Sequence, residues 1–562
     1  MILPKFSTRS KGSEFTMKFS IIIDLMGQLL VFFASALGVC ALFSWIEIYR
    51  HPDVGPLETP ALYSFLVAAG ISLVLGVGAR FSAGFPTSKK KRFLTQVAWK
   101  LRGIEPKGEV KPSDIGRREA ILMVVGCYFI GSLIAAIPFA GWSILCGQPQ
   151  SVMFQGFANP WFEAMSGITT CGATILSDIE ALPRSILLWR AFIQWLGGLG
   201  FVVLFVAFLP TLGVGGKKLF LAESTGPTPK GLRPHVAETG WTLIYFYLVL
   251  TCMAATLLMG CGMDWFDAVC HSFTTVSTAG FSTKNASIAA FNSFSIELVV
   301  MSFMLASGVA FSIYYLWIKA VLNKRRFNPL SYSPELRLYL LLGFLVTVVC
   351  AISLIVTRHD ILLTTGEVVE PSYLNSLRYS AFAAISILTT TGYTAAAYET
   401  WPALAVVALM AIYLVGGMAG STSGGMKIIR VWIAGKLMIS GIEKIYEPKV
   451  VRPIKVGSSM VPSETRTMVL VFVLFTFLLI CIGSALLETF EGTNGIDFTT
   501  SLSAAASAVA NVGPGLSRVG ADDTYAFLSM PSKLTLTFLM MMGRVELLMV
   551  LALFTRRFWS RV

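Results

Sequence analysis

Four short glycine motifs hold the groups in this sequence best suited to binding an ion. They read Thr169-Thr170-Cys171-Gly172-Ala173, Ser277-Thr278-Ala279-Gly280-Phe281, Thr390-Thr391-Gly392-Tyr393 and Ala510-Asn511-Val512-Gly513-Pro514, and they recur every 110 to 120 residues or so, roughly. No acidic residue lies within them. Their ligands are therefore backbone carbonyls, with threonine hydroxyls in support. Oxygens of this kind make a weak-field site that suits a large monovalent cation, whereas a divalent ion needs carboxylates. Successive carbonyls can face one axis only where the backbone leaves the ordinary helix and strand regions, and glycine does so without a Cβ clash. The candidate ligand-bearing residues are Thr170, Cys171, Gly172, Thr278, Ala279, Gly280, Thr390, Thr391, Gly392, Asn511, Val512 and Gly513.

A second constellation lies further along. Gly416, Gly417, Gly420, Ser421, Thr422, Ser423, Gly424 and Gly425 interrupt an apolar run, with Met418 and Ala419 among them. So many glycines cannot hold a straight helix at membrane depth. The segment has no acid or base, and it is expected to cross the ion path as a gate. A packing kink with small residues is the plainer alternative. It is only a near miss to a phosphate loop, since Met426 separates Gly425 from Lys427 and no strand precedes it. Arg544 sits near the middle of the apolar run 534–555, where a charge is costly unless water or a partner meets it. It is expected beneath the glycine loops, against carbonyls of the 416–425 segment, because Glu546 is an i,i+2 neighbour and points elsewhere. Lys427 and Arg430 read as cytoplasmic-boundary residues, either touching a soluble partner or serving as positive-inside anchors.

These residues need long apolar elements to position them. The chain has 562 residues, 55% hydrophobic and 13% charged, against about 25% charged in a soluble globule. Several runs of about 20 apolar residues recur, which makes this an all-α polytopic membrane protein. Spans are expected at about 20–48 and 60–80, then a basic linker over 81–117. Four membrane–pore–membrane repeats follow, at 118–238, 239–335, 336–465 and 466–562, around a pseudo-four-fold pore. Each has a spanning helix, a short re-entrant helix, a glycine loop and a second helix. The second helices are placed at 187–214, 294–322, 401–440 and 532–555. Asn159, Asp264 and Asp497 are expected to cap the short helices, the first of them about one turn shorter. The C-terminal ends of the short helices then face the loops and favour a cation there. Residues 1–16 read as a vector-derived tail, since Gly12-Ser13-Glu14-Phe15 looks like a cloning-site scar.

The net charge of +13 comes from loop clusters such as Lys89 to Arg92 and Lys324 to Arg326. That is the positive-inside pattern, which places both termini in the cytoplasm and argues against a nucleic-acid partner. Asp264, Asp267, Asp497, Glu163 and Glu399 are expected on the outer side, as concentrators of cations or as capping and solvated groups. The 9 Cys and 4 His show no metal-site or disulfide spacing. No nucleophile elbow or H-E-x-x-H motif points to an enzyme.

The four loops, the Gly-Ser-Thr-Ser-Gly-Gly break and Gly543-Arg544-Val545-Glu546 resemble the Trk/Ktr/HKT superfamily of potassium transporters, and within it the bacterial TrkH branch. The resemblance spans about 20–560 and implies a potassium-translocating subunit of the bacterial inner membrane, usually a homodimer. Potassium would be the bound substrate, with no covalent cofactor. The resemblance also implies a cytoplasmic TrkA-like regulatory ring, with nucleotide bound on that partner. It assigns Gly172, Gly280, Gly392 and Gly513 to a selectivity filter, 416–425 to a gating loop and Arg544 to the pore beneath. Cys171, Ala279 and Val512 lack the hydroxyl often found at their position, which leaves carbonyl ligation intact. A cation-coupled symporter, or the membrane subunit of a potassium pump, is the alternative.

Overall fold

Apolar runs long enough to cross a bilayer fold into helices of matching length. In the computed structural model, which describes residues 19–83, 116–208, 236–324, 326–448, 453–457, 459–492 and 495–559, six helices meet that criterion of length and apolarity, or up to eight if each of two bent pairs is one span. The expected tail over 1–16, most of the basic linker and the loop from Lys217 to Arg233 lie outside the described residues.

Helices α1 (Phe19–Arg50) and α2 (Gly55–Ser82) form a leading hairpin. The buried carboxylate of Glu58 docks the pair onto the rest, accepting from Ser44 Oγ at 2.9 Å and Ser185 Oγ at 2.5 Å. Four units follow. The first comprises α3 (Arg117–Cys146), the short α4 (Ala158–Ile168) and α5 (Arg184–Phe208). The second has α6 (Val236–Gly260), the short α7 (Trp265–Val276), α8 (Phe294–Ser307) and α9 (Phe311–Leu322). The third has α10 (Pro334–Thr357), α11 (Tyr373–Leu388), α12 (Ala403–Tyr413) and α13 (Ile428–Tyr446). The fourth has α14 (Ser463–Phe490), the short α15 (Phe498–Ala510), α16 (Met530–Arg544) and α17 (Leu547–Leu553).

Length separates spanning helices from re-entrant ones. The 24 residues of α10 reach about 36 Å, while the 11 of α4 reach only about 16 Å. Backbone that turns back at membrane depth must be shielded by protein, and every residue of α4 is buried or nearly so.

Two of the expected caps differ. Asp264 caps α7, its carboxylate accepting from the Phe266 N–H at 3.2 Å. Asn159 lies inside α4, whose N-cap is Phe157, and its amide instead joins Met153 O and Lys533 Nζ. Because α4 starts ahead of Pro160, it is 11 residues against 12 in α7, not a turn shorter. Asp497 occupies the N-cap of α15 but bonds the hydroxyls of Thr500 and Ser517 rather than a backbone N–H.

The larger correction concerns the second helices. The expected break in 401–440 occurs between α12 and α13, where Val415–Gly416 pairs in parallel with Met426–Lys427. The runs 294–322 and 532–555 also break, bending by 93° between α8 and α9 and by 112° between α16 and α17. Apolar composition alone hid both, since neither break carries a run of glycines. Gly308 marks the first, and Glu546 at φ 68° marks the second.

Candidate ion-binding site

All four short helices end in one backbone device. The N–H of Cys171, Ala279, Thr391 and Val512 returns five residues to the carbonyl of Ser166, Thr274, Ser386 and Ser507, at 2.9, 2.9, 2.9 and 3.2 Å. This is the long bond of a Schellman turn, which demands a left-handed residue just before it. Thr170, Thr278, Thr390 and Asn511 supply it, with φ of 54°, 52°, 55° and 53°. Two positions later Gly172, Gly280, Gly392 and Gly513 are left-handed again, at 86°, 80°, 79° and 107°. A left-handed β-branched residue is strained, and the three threonines carry that strain at the same place in three units, while Asn511 in the fourth adopts the same conformation more readily.

The four glycines close a ring. A Cβ on Gly172 would strike the carbonyl oxygen of Ala279, one on Gly280 that of Thr391, and one on Gly392 that of Val512. A Cβ on Gly513 would lie 2.8 Å from the carbonyl oxygen of Cys171, which returns the circuit to its start. Each glycine is thus the surface against which the next loop's backbone rests. Any side chain there displaces a peptide oxygen of the neighbour.

The sequence-predicted residues therefore come together, and so do four that sequence reasoning passed over. Ser166, Thr274, Ser386 and Ser507 each precede a loop glycine by six positions, and all are buried. Ser386 Oγ donates to Tyr393 O at 2.7 Å, and Ser507 Oγ donates to Gly513 O at 2.7 Å. Thr274 Oγ1 and Tyr393 Oη lie 2.5 Å apart. A hydroxyl at a fixed distance before each glycine was the signal available.

The glycine-rich segment, part of the third unit, bonds to the second and fourth units as well as to its own. Met418 N–H donates to Gly308 O at 2.9 Å, and Gly420 O accepts from Phe311 N–H at 3.2 Å, so the segment seats in the notch between α8 and α9. Thr422 Oγ1 donates to Val276 O at 3.1 Å and Ser307 O at 3.2 Å. Ala419 N–H donates to Glu335 Oε1 at the foot of α10, 2.9 Å away. Arg544, buried at the end of α16, donates from Nη1 to Thr422 O at 2.9 Å, as expected. Glu546 turns away to Arg430, at 2.7 Å. Lys427 Nζ reaches Ser423 O at 2.5 Å, so Lys427 and Arg430, expected as boundary residues, both bind within the protein.

The expected outer acids divide. Glu163 is fully buried and pairs with Arg190 at 2.8 Å, so it offers no free charge to solvent. Asp267 accepts from Thr283 Oγ1 at 2.7 Å and faces Lys284 at 3.7 Å. Glu399 lies in the loop after Gly392 and bonds Ala521 N–H at 3.3 Å. Burial, with the nearby charges of Asp522 and Asp523, raises its carboxyl to about 7. Burial and Asp523 raise Asp522 to about 6. Among the described residues no group of three or more His, Cys, Asp or Glu could hold a metal ion.

The model of the TrkH cation transport protein family matches residues 146–561. The chain is 36% identical to the Trk system potassium uptake protein TrkH of Halomonas elongata over 439 residues, covering 77% of this chain and 86% of that protein. It is 34% identical to the protein of that name from Escherichia coli K12 over 455 residues, covering 81% and 87%. The crystal structure of the potassium transporter TrkH from Vibrio parahaemolyticus superposes with a TM-score of 0.77 at 28% identity, covering 97% of this chain and all of that one. A multi-span membrane protein with this family match is a transporter rather than an enzyme, and the chain belongs to the TrkH family of cation transport proteins.

Proposed function

We propose that this chain conducts potassium across a bacterial inner membrane through a pore on a pseudo-four-fold axis. The repeats are 118–238, 239–335, 336–465 and 466–562, preceded by the leading hairpin and basic linker of 17–117. The ring in which each loop glycine rests on a peptide oxygen of the next loop carries this reading. Carbonyls of Thr170, Cys171, Thr278, Ala279, Thr390, Thr391, Asn511 and Val512 replace the water shell of the ion. Helix C-termini behind them add partial negative charge.

The 416–425 segment and Arg544 form the gate. Arg544 places a positive charge below the filter, and the segment's bonds to α8, α10 and α16 hold it across the path. The carboxylates of Glu163 and Glu297 are paired with Arg190 and Arg378, which speaks for a conduit over a proton-coupled symporter at those two positions. The family likeness supports a homodimer whose cytoplasmic face, on the side of both termini, docks a TrkA-like nucleotide-binding ring.

The test is rubidium uptake into vesicles that hold the purified protein, with sodium and lithium as competitors. Potassium should compete best in the parent. Gly392→Ser forces a Cβ against Val512 O and should raise sodium flux relative to rubidium. An unchanged ratio removes the filter assignment.

A further inference from the structure

Helix α5 turns one face toward the second glycine loop, and on it stand Arg190 and Gln194, one helical turn apart and both buried. The Gln194 amide is used at both ends. Its Nε2 donates to the Ala279 carbonyl at 2.8 Å, and its Oε1 accepts from the Phe281 N–H at 3.0 Å. A backbone carbonyl only accepts and a backbone N–H only donates, so these partners fix the orientation of the amide. Arg190 extends the grip. Its Nη1 donates to Ser282 O at 3.1 Å, and its guanidinium lies 4.2 Å from the centre of the Phe281 ring. Its Nε donates to Glu163 at 2.9 Å, and Glu163 accepts from the first loop at Thr174 Oγ1 and Ile175 N–H.

Ala279 O is also the oxygen on which Gly172 rests. Among the described residues, the carbonyls of Cys171, Thr391 and Val512 receive no side-chain amide of this kind. The ring is therefore four-fold in backbone and not in side-chain support. An oxygen that already accepts an N–H is fixed in direction and carries a weaker field for a cation. Weak fields favour large, easily dehydrated cations over small ones.

We propose that Gln194 is a positioning and specificity-determining residue, which tethers the Ala279 carbonyl and thereby sets discrimination against sodium. This rests on the reading of the four loops as a filter. Glu163 and Arg190 brace the second loop beside it, and Gln194 acts on the oxygen itself. Without the amide donor the carbonyl loses that restraint and presents a stronger field to the ion, which suits sodium.

The experiment compares sodium and rubidium uptake per folded transporter in vesicles for the parent, Gln194→Glu, Gln194→Met and Gly392→Ser. Q194E keeps size and shape while removing the donor, and Q194M removes both polar ends. The expected result is a rise of about threefold or more in the sodium-to-rubidium ratio for both Gln194 variants, with rubidium uptake retained. A parental ratio in both, alongside a raised ratio in Gly392→Ser, overturns the inference and leaves the filter standing. A parental ratio in all three removes the filter reading and this inference together. Failure of both Gln194 variants to yield folded protein assigns the residue to folding alone, and also overturns it.

Discussion

The backbone N–H of Gly424, in the segment beneath the loops, donates to the hydroxyl of Thr390, 2.6 Å away in the third loop. One bond therefore joins the left-handed residue of a proposed ion-binding loop to the proposed gate. Valine in place of Thr390 keeps the shape and removes the acceptor. A buried N–H left unpaired costs about 1–3 kcal/mol. With that cost on the blocking position, flux without stimulation rises roughly fivefold to 150-fold. Thr390→Ser retains the hydroxyl and should conduct like the parent. Rubidium efflux from preloaded vesicles checks both.

Arg544 is the second tether, through its 2.9 Å bond to Thr422 O. Arg544→Ala removes a positive charge from the proposed ion path and that bond to the segment at once. Basal rubidium flux should rise, by about tenfold for a change of about 1.4 kcal/mol in the barrier. Arg544→Lys keeps the charge without the planar fork and should fall between. Equal flux in all three would remove Arg544 from the gate.

How much of this was written in the sequence depends on the kind of signal. Apolar runs and loop glycines report local needs, so the short helices at 265–276 and 373–388 and the break at 416–425 could be placed from residues alone. The bends after Ser307 and Arg544 arise from contacts made elsewhere. Gly308 O is met by Met418 N–H and Glu546 is drawn to Arg430, and neither partner is near in sequence. Gln194 was invisible for the same reason. A lone glutamine in a helix has no pattern until Ala279 and Phe281 are brought beside it.

Glu399 gives the side expected to face outward a titration near neutrality. Its carboxyl titrates at about 7 instead of the usual carboxylate range, because burial disfavours the charged form. Below that pH it is neutral, and above it adds a negative charge beside the third loop. Negative charge at a cation entrance raises local cation concentration. Apparent potassium affinity should therefore strengthen as external pH rises through about 7, and Glu399→Gln should flatten that rise while keeping an acceptor for Ala521 N–H. Uptake at graded external pH, with internal pH clamped, reads this out.

The buried pair of Glu163 and Arg190 supplies the last prediction. Both side chains are essentially out of solvent, at 0% and 1% exposure. Removing one partner of such a pair strands the other charge and costs about 3–5 kcal/mol, whereas replacing both with neutral groups often costs little. Arg190→Met should therefore lower the melting temperature of the purified protein strongly, since among the described residues Glu163 then keeps Thr174 Oγ1 and Ile175 N–H as its donors. The double variant Glu163→Gln with Arg190→Met removes the stranded charge and retains an oxygen for the Ile175 N–H. It should recover at least about half of the loss. Additive losses in the double variant would show that the two side chains act separately, and that the brace between the first and second loops is not a charge pair.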